Sequence, residues 1–217
     1  MAVHPTALIE NGVVIGENTA VWDHVHIRGP ARIGRDCIIG EKTYIAYDVT
    51  IGDRVKINAF VYICAGVTIE TGVMVSAGTV FTNDLYPRAT SPDLATLKSS
   101  EPDEETLRTR VREGATIGAR AVIGCNLEIG RFAMVGMGAV VTRSVPDFHL
   151  VYGQPARPVA LVCRCGRPFH QLDGPLPRLL ATTACRRCGR SYRVRESRVV
   201  EVAQPPAIEK PAVEHAV

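Results

Sequence analysis

The chain has 217 residues, 46% of them hydrophobic, with 25 lysines and arginines against 22 aspartates and glutamates, for a formal net charge of +3. That composition excludes a disordered or fibrous chain and suits one main core with a small appendage. No stretch approaches the roughly 18 apolar residues that cross a bilayer, and the opening MAVHPTALIENG has neither a basic head nor a sustained apolar run, so a cytoplasmic protein with no membrane partner is expected.

From Ile9 every sixth residue is apolar: Ile9, Ile15, Val21, Ile27, Ile33, Ile39, Ile45, Ile51, Ile57, Ile63, Ile69, Val75 and Phe81. The residue two places earlier is usually small or β-branched, as in Ala7, Val13, Thr19 and Ala31, and Gly often follows, as in Gly16, Gly34, Gly40 and Gly52. A period of six fits neither an α-helix nor one alternating strand. It fits an all-β fold, a parallel β-helix in which each hexapeptide forms one flat side and three close a coil. The periodic residues face inward, and the following Gly-x-x is expected to carry the turn. One coil cannot bury its own interior, so stability comes from stacked neighbours. Within this stretch VWDHVHI supplies His24 and His26, of which His26 is the better substrate contact, and Trp22, which either stacks on a base or fills a subunit seam.

The beat stops at VFTNDLYPRAT, residues 80 to 90. It resumes at Ile117, Ile123, Ile129, Val135 and Val141, and the step from Phe81 to Ile117 is a whole number of hexapeptides, with Val111 in phase. Either the helix continues with degenerate sequence or a loop leaves and returns. Pro87, Pro92, Pro102 and the charged SSEPDEETLR favour a protruding loop over 82–112, because proline and unpaired charge suit neither a ladder nor a buried column. A long loop breaking so regular a frame reads as a binding element. Asn-Asp pairs are ordinary turn formers, yet Asn83 and Asp84 stand where the frame opens and are the catalytic candidates. Asn83 can orient an amine or hydroxyl but is no strong base; Asp84 can accept a proton or fix the turn.

Cys37, Cys64 and Cys125 lie singly in the repeats and are expected to be buried thiols. Cys163, Cys165, Cys185 and Cys188 form two close pairs, each followed by Gly-Arg, which read as the knuckles of a small zinc ribbon over 161–200. Four ligands leave no open position, so the ion would be structural. The first pair has one intervening residue where two are usual, and His170 is a spare ligand. Residues 163 to 198 hold nine arginines against Asp173 and Glu196. With no recognition helix or aromatic platform, nucleic acid is not the expected partner. Residues 201–217 read as a flexible tail.

Taken together, HPTALIENGVVIG, VWDHVHI, KINAFVYICAGVTIE, VFTNDLYPR and VVTRSVPDFHLVYGQPARPV make residues 1–160 resemble the left-handed, hexapeptide-repeat N-acetyltransferases that acetylate the amine of a nucleotide-linked 3-amino sugar. The resemblance implies a left-handed β-helix and a homotrimer with acetyl-CoA in grooves between subunits. It also implies direct attack by the sugar amine, oriented by Asn83, with no acyl-enzyme. His26, Asn83, Tyr86 and Arg88 would contact the sugar nucleotide. Backbone amides at Ser76, Ala77 and Gly78 and around Gly136 and Gly138 would hold the pantetheine arm. Arg143 and Arg157, the latter just after Gly153-Gln154-Pro155-Ala156, would meet the coenzyme's phosphates. Cys64-Ala65 stands before Gly66 where many hexuronate-acting members have Tyr-Glu, so UDP-linked and dTDP-linked acceptors both remain open. The alternatives are an acyltransferase for another small amine or hydroxyl, and a non-catalytic trimeric scaffold. A carbonic-anhydrase-like metal centre would need three converging histidines, and the coils offer only His24 and His26 together.

Overall fold

A computed structural model of the chain describes residues 2–99, 103 and 106–203. Pro102 and the tail from 204 onward lie outside the described residues.

Short strands, mostly two residues long, stack into three largely parallel sheets of ten, seven and six strands. Val21 lies beside Ile39 and Ile39 beside Ile57 in the first sheet. Ile27, Ile45 and Ile63 follow one another in the second, and Ile33, Ile51 and Ile69 in the third. Each partner thus lies three hexapeptides further along the chain, one full coil. The inward column from Val21 to Phe81 and from Val111 to Val141 is almost wholly buried. Beside it Thr19, Thr43, Thr79 and Thr109 are buried with their hydroxyls donating to backbone carbonyls, which removes the penalty for burying a polar group. Cys37, Cys64 and Cys125 are buried, as expected.

The glycines act differently from the sequence expectation. The turning residue with positive φ is the third after each inward position: Asn18, His24, Asp36, Lys42, Asp48, Arg54 and Phe60 all have φ between 52° and 58°, and Gly66, Gly72 and Gly78 continue the series. The glycine directly after the inward residue serves stacking. A Cβ on Gly40 would sit 2.6 Å from the Asn58 carbonyl carbon, and one on Gly34 2.6 Å from that of Gly52.

The break is an insertion. Across it the partners fall further apart in sequence, with Ile69 beside Val111, Val75 beside Ile117 and Phe81 beside Ile123, each step longer than one coil by four hexapeptides. The spacing then returns to a single coil, with Val111 beside Ile129. The loop therefore adds a whole number of hexapeptides and leaves every register intact. It is narrower than 82–112, because Thr109 is already buried and Arg110–Val111 is a strand of the third sheet. The Leu107 N–H donates to the Asn83 carbonyl at 3.0 Å and closes the neck.

At the C-terminal end His149–Gly153 joins the first sheet parallel to Met134–Val135, then turns back into Ala156–Val162, which pairs in turn with Pro168–Gln171. A separate three-stranded antiparallel sheet holds Leu179–Ala184, Ser191–Arg195 and Arg198–Ala203. Glu201, expected in the tail, lies in its last strand and pairs with Arg164 and Arg190. A second core joins this unit to the last coils: Phe132 stacks on Phe148, Phe148 meets Tyr192, and Tyr192 stacks on Phe169.

Candidate active site and cysteine cluster

Coil stacking places His26, Tyr44, Tyr62 and Val80 in one row on the outer face of the second sheet. His26 meets Tyr44 edge-on at 5.3 Å, and Tyr44 stacks on Tyr62 at 5.3 Å with planes 5° apart. Just past this row lies Arg28. Its Nε is 2.5 Å from Glu10, its Nη1 donates to the Tyr44 hydroxyl at 3.1 Å, and its guanidinium lies 4.3 Å from the Tyr47 ring centre. Glu10 also meets His26 Nε2 at 3.0 Å and accepts from the Gly29 N–H at 3.2 Å. Desolvation pushes the Glu10 carboxyl up, but the bonds from His26, Arg28 and Gly29 outweigh it and hold it below the usual carboxylate range. The Tyr44 hydroxyl and Glu10 keep Arg28 firmly charged.

Arg28 and the tyrosines form one wall of a cleft of about 650 Å³ whose other wall is the inserted loop. Of the residues singled out from sequence, Asn83, Asp84, Tyr86 and Arg88 all line it. Asn83 is half-buried at the root of the loop, and its side chain has no hydrogen-bond partner among the described residues. Asp84, Tyr86 and Arg88 are exposed. His26 does not line the cleft but stands behind it, bound to Glu10 and packed on Tyr44. His24 is an exposed corner residue, and Trp22 is exposed on the first coils. Arg28, Tyr44, Tyr47, Tyr62 and Glu10 were missed; the signal was His26, Tyr44 and Tyr62 recurring once per coil on the outward side. Burial pushes the Cys64 thiol up to about 12, so it stays protonated.

The residues expected to hold the coenzyme lie on the opposite corner of the second sheet. The N–H groups of Ser76, Gly78, Gly136 and Gly138 already donate to Ile117, Ala59, Val151 and Ala119 in the coil ladder. They cannot serve as free donors, because a backbone N–H carries one proton. Ala77 alone of those positions makes no such bond among the described residues. Gln154 donates from Nε2 to the Gly138 carbonyl at 2.9 Å, which ties the Gly153–Ala156 turn to this corner. Arg143 and Arg157 are exposed beyond it.

The four C-terminal cysteines converge, with all Sγ atoms within 4.8 Å of one another. Cys163 and Cys188 are 3.4 Å apart, and Cys165 and Cys185 3.7 Å. A tetrahedral ion with metal–sulfur bonds near 2.3 Å sets its sulfurs roughly 3.8 Å apart, so the set fits zinc. Gly166 and Gly189, at φ +82° and +74°, turn the chain after each pair. Burial opposes ionisation of Cys188, but the Arg190 amide and the Cys163, Arg190 and Cys165 side chains outweigh it and bring its thiol down to about 6. Burial above all pushes Cys163 up to about 12. His170 is not part of the cluster.

The family model for bacterial transferase hexapeptides (six repeats) matches residues 5–46 and 48–83, and that for the hexapeptide repeat of succinyl-transferase matches 30–65 and 109–143. Both leave out the inserted loop. The dTDP-3-amino-3,6-dideoxy-alpha-D-galactopyranose 3-N-acetyltransferase of Aneurinibacillus thermoaerophilus is 39% identical over 191 residues, which is 88% of this chain and 90% of that protein. That span exceeds residues 1–160, so the likeness runs into the C-terminal unit. The serine acetyltransferase of Haemophilus influenzae is 32% identical, over 54% of this chain and 40% of that protein. Among solved structures, the Bacillus cereus N-acyltransferase AntD, in complex with dTDP and coenzyme A, shares the fold at a TM-score of 0.50 and 22% identity, over 75% of this chain and 81% of that one.

Proposed function

The chain belongs to the hexapeptide-repeat, left-handed β-helix nucleotide-sugar 3-N-acetyltransferases, and from that premise we propose that it transfers the acetyl group of acetyl-CoA to the 3-amine of a dTDP-linked amino sugar. The observation that carries the reading is the Asn83 amide, without a hydrogen-bond partner among the described residues, at the root of the cleft between a fixed cation on the helix, Arg28, and a loop carrying Arg88. Guanidinium groups suit a nucleotide's diphosphate, while an amide at the cleft root suits the sugar amine. The neutral Ala46 and Ala65 on the wall favour a deoxy sugar over a hexuronate.

The neutral amine attacks the thioester carbonyl carbon; a C–N bond forms, the C–S bond breaks, and the departing coenzyme thiolate takes the amine proton directly or through water. Asn83 orients the nitrogen. His26 is held by Glu10 and Tyr44 and is not the base in this scheme, and the protonated Cys64 thiol is no nucleophile. The acceptor candidates and the coenzyme candidates flank the second sheet on opposite corners, which supports a homotrimer in which the two half-sites meet across a seam. In the same reading Cys163, Cys165, Cys185 and Cys188 hold a structural zinc that stiffens the C-terminal unit.

The test is to incubate the protein with acetyl-CoA and a panel of dTDP- and UDP-linked 3-amino sugars, following thiol release and product mass. Acetylation of a dTDP-linked 3-amino-6-deoxy sugar is expected. A trimeric, metal-loaded protein that acetylates no member would overturn the reading.

A further inference from the structure

The C-terminal unit has a cleft of its own, about 570 Å³, between the edge strand Pro168–Gln171 and the segment from Thr183 to Arg187. Arg167, His170, Gln171, Thr183, Arg186 and Arg187 line it beside the cluster cysteine Cys185, and among the described residues no carboxylate does. The neighbouring arginines have other partners. Arg164 and Arg190 both pair with Glu201, Arg190 also serves Cys188, and Arg193 donates to the Thr182 hydroxyl. Arg167, Arg186 and Arg187 form no ion pair among the described residues. Three guanidinium groups without an ion-pair partner around one concavity outweigh the net double negative charge that a tetrathiolate zinc would place at its Cys185 edge, and leave the concavity positive. The floor is set by Phe169, held against Tyr192 at 4.5 Å. Gln171 and Thr183 add neutral hydrogen-bonding groups beside the charges. The volume exceeds that of a simple ion and lies in the range of small-molecule sites.

We propose that this cleft is a second anion site, separate from the acceptor cleft, that binds the phosphate groups of a small phosphorylated ligand. Guanidinium forks pair with phosphate oxygens two at a time. Three sources share that chemistry: free pyrophosphate, the 3′-phosphate and diphosphate of coenzyme A, and a nucleoside diphosphate. The inference does not depend on the acyl-transfer reading, because it concerns equilibrium binding to a different face.

The experiment is calorimetric titration of the full chain, metal retained, with pyrophosphate, coenzyme A, dephospho-coenzyme A, dTDP and a short oligonucleotide, for the wild type and for Arg186→Gln/Arg187→Gln. Pyrophosphate should bind the wild type and lose at least about tenfold in affinity in the variant, the loss expected for one charge-assisted hydrogen bond. Beside the loss for pyrophosphate, a variant effect on coenzyme A but not on dephospho-coenzyme A assigns the 3′-phosphate as the ligand's anchor; an effect on dTDP but on neither coenzyme form assigns the nucleotide. Phenylglyoxal labelling of the wild type, read by mass spectrometry, covers the case of a variant that misfolds: pyrophosphate should shield Arg167, Arg186 and Arg187. Equal pyrophosphate affinity in both proteins, unshielded arginines, or variant-sensitive binding of an oligonucleotide alone would overturn the proposal.

Discussion

The Leu107 N–H donates to the Asn83 carbonyl at 3.0 Å, so one residue both closes the loop neck through its backbone and turns its side chain toward the cleft. These two roles are chemically separable, because a side-chain substitution leaves the carbonyl in place.

Asn83→Ala should therefore lower kcat for the amino sugar by about a hundredfold, the scale of losing one positioned polar group at a reacting centre. The coenzyme A dissociation constant should stay within about twofold and the melting temperature within a few degrees. Steady-state kinetics beside calorimetry check this, and unchanged turnover would remove Asn83 from the mechanism.

Arg28 owes its position to Glu10, Tyr44 and Tyr47. Glu10→Gln keeps the shape but removes the charge, and it should raise KM for the sugar nucleotide more than it lowers kcat. It should also change the acid response. The Glu10 carboxyl titrates lower in the folded chain than in the unfolded one, so its stabilising contribution is complete above the ordinary carboxylate range. That contribution disappears as the pH falls through the lower folded value. Urea denaturation at neutral pH and again below the ordinary carboxylate range should show a smaller loss on acidification in Glu10→Gln than in the wild type.

Cys188→Ser should release the metal. Elemental analysis should give about one zinc per chain for the wild type and near none for the variant. Hydrogen exchange should rise at Tyr192 and Val194, in the second core, while Ile57 and Ile63 remain protected. A metal-free wild type with a fully protected C-terminal unit would overturn the zinc assignment.

Gly40→Ala tests the stacking role of the glycines. The new methyl would meet the Asn58 carbonyl carbon at 2.6 Å and the Ala59 nitrogen at 2.7 Å, both backbone atoms that cannot swing aside. A loss of about 1–3 kcal/mol in chemical denaturation is expected. A change below about 0.5 kcal/mol, the ordinary size of a neutral surface substitution, would show that neighbouring coils can spread.

The inward column was legible because burial enforces it: each sixth position must be apolar or the coil cannot close. The cysteine pairs were legible because two close pairs of one scarce residue type stand out in the sequence, and the fold brings their four Sγ atoms within 4.8 Å of one another. Outward residues are not so constrained, and the Tyr44–Tyr62 stack with Arg28 became visible only once residues one coil apart were brought side by side. The far end of the loop is the harder boundary to read, because Val111, although in phase, stands between Arg110 and Arg112, whose charges suit a loop as well as the outer face of a coil. Amide donors were misjudged at Ser76 and Gly136 because sequence does not show which N–H groups the neighbouring coil has already taken.

The insertion changes no strand pairing, so the frame senses only that the two ends of the loop return to adjacent places. Lengthening such a loop costs little, about 0.6 kcal/mol for each doubling. Under the proposed function, acceptor recognition can therefore diverge by wholesale exchange of residues 84–106 while the folding problem stays the same, much as one lock body takes different keyways.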